Sequence, residues 1–341
     1  GFLCLDTETD EYRLIWCENG ILATGGPGRL YFDSVYPESQ SGANGLALEA
    51  GVKGKNLTEW QYGIASRYPR WNVSGTYMQV LPVVMSAAED GTDEREFLLP
   101  FFSTREDMMS AIFLKGYQWP FDTDRIWNGS SVIDLLVYQE TVLFGRRVYL
   151  DFRRNTGNEE ICFQKLSKEA YDYLKQAGAD KGTPFERLKI MNPQAAEFYK
   201  EHGIDLKEQP LEIAVCAQHN NGGLSVDCWW ETDVRNLFAV GEASGTHGIK
   251  RPGGSALNAG QTGALRASQR ILQRCRRTYE KSDKWERETE TEKELLREAE
   301  MFLETMEHSS GEESLEEAWI HAQKEMSASG GMIRSLSLIH I

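Results

Sequence analysis

The run Gly241-Glu242-Ala243-Ser244-Gly245-Thr246-His247-Gly248-Ile249-Lys250-Arg251-Pro252-Gly253-Gly254-Ser255-Ala256-Leu257 gathers more chemically capable groups than any other stretch of the 341-residue chain. A carboxylate, an imidazole and a guanidinium stand among glycines that let a ligand approach the backbone. Ahead of the run, Leu237-Phe238-Ala239-Val240 is a short apolar segment that predicts a buried strand. Behind it, Ser255 opens a pattern with Leu257, Ala264, Leu265, Ile271 and Leu272 at helical spacing. Strand, glycine loop and helix in that order make a phosphate- or cofactor-binding turn. Free amides and the positive end of the helix dipole would face the ligand.

A second turn of the same kind lies near the start. Gly20-Ile21-Leu22 runs into Ala23-Thr24-Gly25-Gly26-Pro27-Gly28, followed by a short helix over Ser41–Ala50 that Gly51 closes. Ahead of it, Phe2–Leu5 and Tyr12–Cys17 flank a polar turn and predict a hairpin. Between the two glycine turns the texture changes. Thr183 with Glu186 forms a capping box with Pro184 at the first helical position. Asn192-Pro193 starts another helix that Gly203 ends, and Ser167 caps a third that ends at Gly178. Strands are expected at Leu211–Cys216 and Leu224–Val226, and acidic helices beyond residue 280, one of them capped by Ser314 and Glu317.

Two strand–glycine turns some two hundred residues apart, flanking an α+β insert, are the pattern of a flavin domain interrupted by a substrate domain. The motifs Ala23-Thr24-Gly25-Gly26-x-Gly28, Gly45-x-Ala47-x-Glu49-Ala50-Gly51, Asn221-Gly222-Gly223, Leu237 to Glu242, and His247-Gly248-x-x-Arg251-x-Gly253-Gly254-Ser255-x-Leu257 carry a resemblance. They resemble the fumarate reductase/succinate dehydrogenase flavoprotein family, which includes L-aspartate oxidase. The likeness covers residues 1–60 and 211–335 well and the insert poorly. It implies an α/β, glutathione-reductase-like FAD-binding domain (residues 1–61 and 218–277) with an inserted α+β capping domain (62–217). The start of a C-terminal helical domain would follow at 283–335.

The resemblance also implies roles. Ala23, Thr24, Gly25, Gly26 and Gly241 would line the FAD, Glu242 would contact its ribose or ribityl hydroxyls, and Ser255, Ala256 and Leu257 would offer amides to the flavin's pyrimidine edge. Arg251 would grip a substrate carboxylate through two parallel hydrogen bonds, which a planar guanidinium is shaped to do. His219 and His247 complete the candidate catalytic set. The implied activity is hydride transfer between FAD and a small carboxylate. An L-aspartate-oxidase-like enzyme and a non-catalytic electron-transfer flavoprotein subunit, with an electron-transfer partner, are the alternatives.

The chain departs from the family at several points. The family has a histidine four residues before the paired glycines, or two histidines at four and three; this chain has Gln218 at four and His219 at three. The family's His-Pro-Thr is missing after Gln61-Tyr62. No arginine stands over 128–133, where the family's proton donor falls. Arg125, Arg146 and Arg147 lie nearby and read, on charge grounds, as surface residues. The pyrophosphate fingerprint Gly-x-Gly-x-x-Gly is absent from the 341 residues.

Composition excludes other classes. Fifty-two acids against 37 bases give a formal charge of −15, which argues against a nucleic-acid surface. No run approaches the ~20 apolar residues needed to span a bilayer, so direct membrane insertion is not expected. Six cysteines without a Cys-x-x-Cys pair predict a reduced, cytoplasmic protein with no metal site. The sequons at Asn56, Asn72 and Asn128 read as chance. Both ends read as cut, and residues 336–341 resemble a translated sequencing adapter.

Overall fold

A computed structural model describes residues 1–127, 129–275, 289–307 and 314–334. Residues 336–341 and Asn128 lie outside the described residues. The chain divides into two compact units. One comprises residues 1–27, 41–59 and 220–323, the other residues 28–40, 60–219 and 324–341.

In the first unit, Phe2–Asp6 and Glu11–Ile15 form the expected antiparallel hairpin, in the register Phe2 to Ile15. Asp10 adopts a positive φ of 55° at its turn, a conformation that Asp tolerates better than most residues. Gly20–Leu22 pairs in parallel with Leu237–Ala239, Gly20 opposite Leu237. A small antiparallel ladder joins Gly54–Lys55 to Gly223–Leu224. Regular structure is shorter here than the apolar runs suggest. The first strand stops at Leu22, the helix after it spans only Asn44–Glu49, and the strand expected at Leu224–Val226 is Gly223–Leu224. The core is made of small patches, Ala47, Val52, Leu224 and Ala239 in one, Phe238, Val240 and Ala267 in another. Helix Ser255–Cys275 starts where its pattern predicts, and a second long helix covers Thr289–Glu307.

The second unit is built on a six-stranded sheet. Its strand order is Trp71–Asn72, Trp60–Ser66, Leu211–Asn220, Arg147–Asp151, Val83–Ala87, Arg95–Glu96. Strand Leu211–Asn220 runs four residues beyond the expected Cys216, so Gln218 and His219 belong to it. Trp60–Ser66 is buried along its whole length, as a central strand covered on both faces must be. Helices Arg105–Lys115, Ser131–Tyr138, Lys168–Gln176, Pro184–Met191 and Pro193–Glu201 accompany the sheet. Their start signals act as the sequence predicts. Thr183 and Glu186 form a reciprocal capping box, and Ser167 and Asn192 accept from the third amide beyond each. One large core unites Ile64, Met78, Val84, Phe113, Ile133, Leu150, Phe152, Tyr199 and Ile213. Among the described residues, no helix is long and apolar enough to cross a membrane.

One expectation fails in this unit. Arg146 is not a surface residue: its side chain is 13% exposed, and it pairs with the buried Glu140 at 3.2 Å and with Asp93 at 2.8 Å. Arg147 pairs with Glu212. The charge pattern alone did not show the acids that meet these arginines in the fold.

Candidate functional site

The two glycine turns of the first unit leave the ends of adjacent parallel strands. Val240 N donates to Leu22 O at 2.9 Å, so Ala23-Thr24-Gly25-Gly26 and Gly241-Glu242 start side by side. Gly241 takes φ +67° and opens a single 3-10 turn, Gly241–Ala243. Ser244, fully buried, closes that turn by donating its hydroxyl to Gly241 O at 2.7 Å.

Glu242 is already engaged within the protein. Its Oε1 accepts from Asn220 N at 2.8 Å, and Asn220 Oδ1 accepts from Gly222 N at 2.8 Å. Asn221 Nδ2 donates to Ile249 O at 2.9 Å, and Gly245 N donates to Leu224 O at 2.9 Å. These bonds tie the 241–257 loop to the Asn221-Gly222-Gly223 turn. Glycine is required at that turn: a β-carbon on Gly223 would meet Ala243 O at 2.6 Å.

His247 is buried (8% exposed). Burial pushes its imidazole below the usual 6.5, and the charge of Arg251 pushes it further the same way. A neutral imidazole and a cationic guanidinium therefore share one corner of the loop. Ser255 donates both its hydroxyl and its amide to Pro252 O, at 2.8 and 3.3 Å, so the amides of Ala256 and Leu257 are what the helix start can offer a ligand. Leu257 itself is largely exposed. His219 lies in the second unit, buried near the end of strand Leu211–Asn220.

The motif reading passed over Asn44 and Trp119, and it gave Gln218 no surroundings. Asn44 is buried with neither side-chain polar atom satisfied among the described residues. In the second unit, Trp119 Nε1 and both polar atoms of the Gln218 carboxamide are in the same position. Buried polar groups normally find partners, so such atoms are a signal, but one that only tertiary structure reveals.

The FAD binding domain profile matches residues 140–257. Over 263 residues the chain is 43% identical to an uncharacterised FAD-dependent oxidoreductase of Methanocaldococcus jannaschii, covering 75% of this chain and 39% of that protein. The chain is thus similar to FAD-dependent flavoproteins of the fumarate reductase and L-aspartate oxidase kind. It is also 31% identical over 107 residues to the L-aspartate oxidase of Pseudomonas aeruginosa, 29% of this chain and 20% of that one. The fold of the Mycobacterium smegmatis Sdh1 complex in the apo form agrees, with a TM-score of 0.63 at 18% identity over 97% of this chain and 47% of that chain. The chain thus spans under half the length of these relatives. The profile match begins at residue 140, inside the insert that the motifs cover poorly, and the fold likeness runs through the insert as well.

The FAD binding domain match indicates FAD as the cofactor, and the glycine loop of the first unit fits the flavin side of it. Gly241, Gly248 and Gly254 have positive φ, and together with Gly253 they face space in which an added β-carbon meets nothing within 4 Å. Such a cradle, leading into a helix N-terminus, suits a planar, partly anionic ring.

Proposed function

We propose that this chain forms the flavin-ring and substrate part of an FAD-dependent oxidoreductase acting on a small carboxylate. In this reading, residues 1–61 and 218–277 belong to a glutathione-reductase-like FAD domain, 62–217 to a capping domain and 283–335 to the start of a helical domain. The observation that carries it is the run from Val240 to Leu257. There, paired strand ends, open glycines and a helix start surround a carboxylate, a buried neutral imidazole and a guanidinium.

Bound FAD supplies the hydride acceptor or donor. Ala23, Thr24, Gly25, Gly26 and Gly241 are assigned to its lining, and Glu242 to its sugar or ribityl hydroxyls. Ser255, Ala256 and Leu257 are assigned to the flavin's pyrimidine edge. Arg251 binds the substrate carboxylate as a bidentate fork and orients it. His247, kept neutral, adds a hydrogen bond without a second full charge. His219 holds a polar group of the substrate. A reduced, cytoplasmic setting goes with this reading.

A second reading, an electron-transfer flavoprotein subunit without catalysis, is favoured by one observation: no arginine stands over residues 128–133. Exchanging Arg251 for lysine separates the two. Arg251→Lys keeps the charge and loses the fork, so kcat/KM on the best of fumarate, aspartate and simple enoates falls about ten- to a hundred-fold, with the flavin spectrum unchanged. Wild-type turnover in the lysine variant sinks the role of Arg251, and no turnover of any carboxylate by the unaltered protein favours the non-catalytic reading.

A further inference from the structure

The six-stranded sheet of the second unit turns one face away from its large core. On that face Glu212 stands opposite Tyr149, and Arg147 opposite Ala87. The intervening Val148, Leu150 and Ile213 point the other way, into the core. Glu212, Tyr149, Arg147 and Ala87 line a cavity of about 350 Å³. Two loops complete it. Residues 88–94 turn tightly, with Ala88 N donating to Thr92 O at 2.7 Å and Gly91 at a φ of +81°, and they bring Glu94 to the cavity. Residues 204–210, held by Gln209 N on Asp205 O at 2.9 Å, bring Ile204 and Pro210. Every one of these residues belongs to the second unit.

Most of the charge around the cavity is matched. Arg67 donates to both oxygens of Asp33, at 2.9 and 3.0 Å, and to Glu212 Oε1 at 3.2 Å, while Arg147 Nη2 donates to Glu212 Oε2. Two groups of opposite sign keep capacity. The Arg147 side chain is 41% exposed and lies 5.5 Å over the Tyr149 ring. Its Nε and Nη1 make no hydrogen bond among the described residues. The exposed Glu94 carboxylate enters no ion pair or hydrogen bond among them either. Both charges reach one phenol. Burial pushes Tyr149 up, Arg147 pulls it down, and Glu212 and Glu94 push it up again.

We propose that this cavity binds a free α-amino acid with an apolar side chain. The carboxylate accepts from the unspent N–H groups of Arg147, and the ammonium donates to Glu94. The side chain lies against Ala87, Ile204 and Pro210. A simple acid answers Arg147 and leaves Glu94 unmatched, and a simple amine does the reverse. A zwitterion meets both charges at once. The volume falls at the small end of the ~300–1,000 Å³ usual for ligand pockets, which suits a single amino acid better than a peptide.

Isothermal titration of the purified protein with L-leucine tests the site. The controls are 4-methylpentanoate and 3-methylbutylamine, which keep the carbon chain of leucine and one charge each. Leucine should bind with a Kd of about 0.1–1 mM, and each control about tenfold or more weaker. Glu94→Gln should bring leucine down to the affinity of 4-methylpentanoate, and Arg147→Gln to that of the amine. Because Arg147→Gln also releases Glu212, the exposed Glu94→Gln is the deciding variant. Unchanged leucine binding in Glu94→Gln places the amino acid elsewhere on the protein and overturns the site. An amine that binds as tightly as leucine reduces Glu94 to a plain cation contact and overturns it too. So does the absence of leucine binding up to about 10 mM.

Discussion

Lys115 Nζ lies 2.5 Å from Asp134 Oδ2, and neither side chain reaches water, at 1% and 0% exposure. The pair joins helix Arg105–Lys115 to helix Ser131–Tyr138. Burial pushes the Asp134 carboxyl up, against the pull of the Lys115 charge and hydrogen bond. Two buried ions compensate each other here, and neither is tolerable alone.

Removing one partner should therefore cost more than removing both. Lys115→Met or Asp134→Leu should each destabilise the protein by about 3–5 kcal/mol, whereas the double variant recovers most of that loss. Urea unfolding of the four proteins completes the cycle. Additive losses would show that the pair is not coupled.

Arg187 is fully buried and serves three acceptors, Val80 O at 2.9 Å, Gly182 O at 2.6 Å and Asn155 Oδ1 at 3.0 Å. Arg187→Met keeps much of the volume and strands all three. A loss of about 2–4 kcal/mol in unfolding free energy is expected. A loss under about 0.5 kcal/mol, the size of an ordinary surface change, would contradict this account.

His247 should titrate below 6.5, first because it is buried and then because Arg251 is cationic. With the folded value below the unfolded one, the unfolded chain takes up the proton first. Stability contributed by this residue is thus intact above pH 6.5 and falls as pH drops through that value. Arg251→Met removes one of the two causes, so the His247 midpoint in an NMR titration should rise toward its ordinary value. An unmoved midpoint would show that the two groups do not sense each other.

Glu242→Ala should release flavin, weakening FAD retention roughly ten- to a hundred-fold, because sugar hydroxyls lose a charged acceptor. Glu242 also accepts from Asn220 N, so Glu242→Gln is the informative control. It preserves that acceptor while removing the charge, and should fall between the other two. Equal flavin content in all three purified proteins would remove Glu242 from the cofactor site.

Local signals in the sequence located the helix starts and the loop chemistry. Thr183 with Glu186, Ser314 with Glu317, and Ser255 after its glycines all act within a few residues, so their spacing is readable. The sheet order was not readable, because strands Arg147–Asp151 and Val83–Ala87 pair across some sixty residues. For the same reason the ion pairs of Arg67 with Asp33 and Glu212 left no trace in the chain. The meeting of Gly63, Trp119 and Gln218 is likewise tertiary. The sequence flagged Gln218 as a departure from a family pattern, but only the structure shows what stands beside it.

Strand Gly20–Leu22 finds its hydrogen-bonding partner only at Leu237–Ala239. During synthesis at about 5–20 residues per second, that partner emerges roughly 10–40 s later. Most of the residues made in that interval belong to the other compact unit, whose six-stranded sheet lies within residues 60–220. The six-stranded sheet of that unit can therefore pair in full while the nascent edge at Ile21 waits. Ile21, still 46% exposed in the finished fold, is where a holdase or a misfolding neighbour would first take hold.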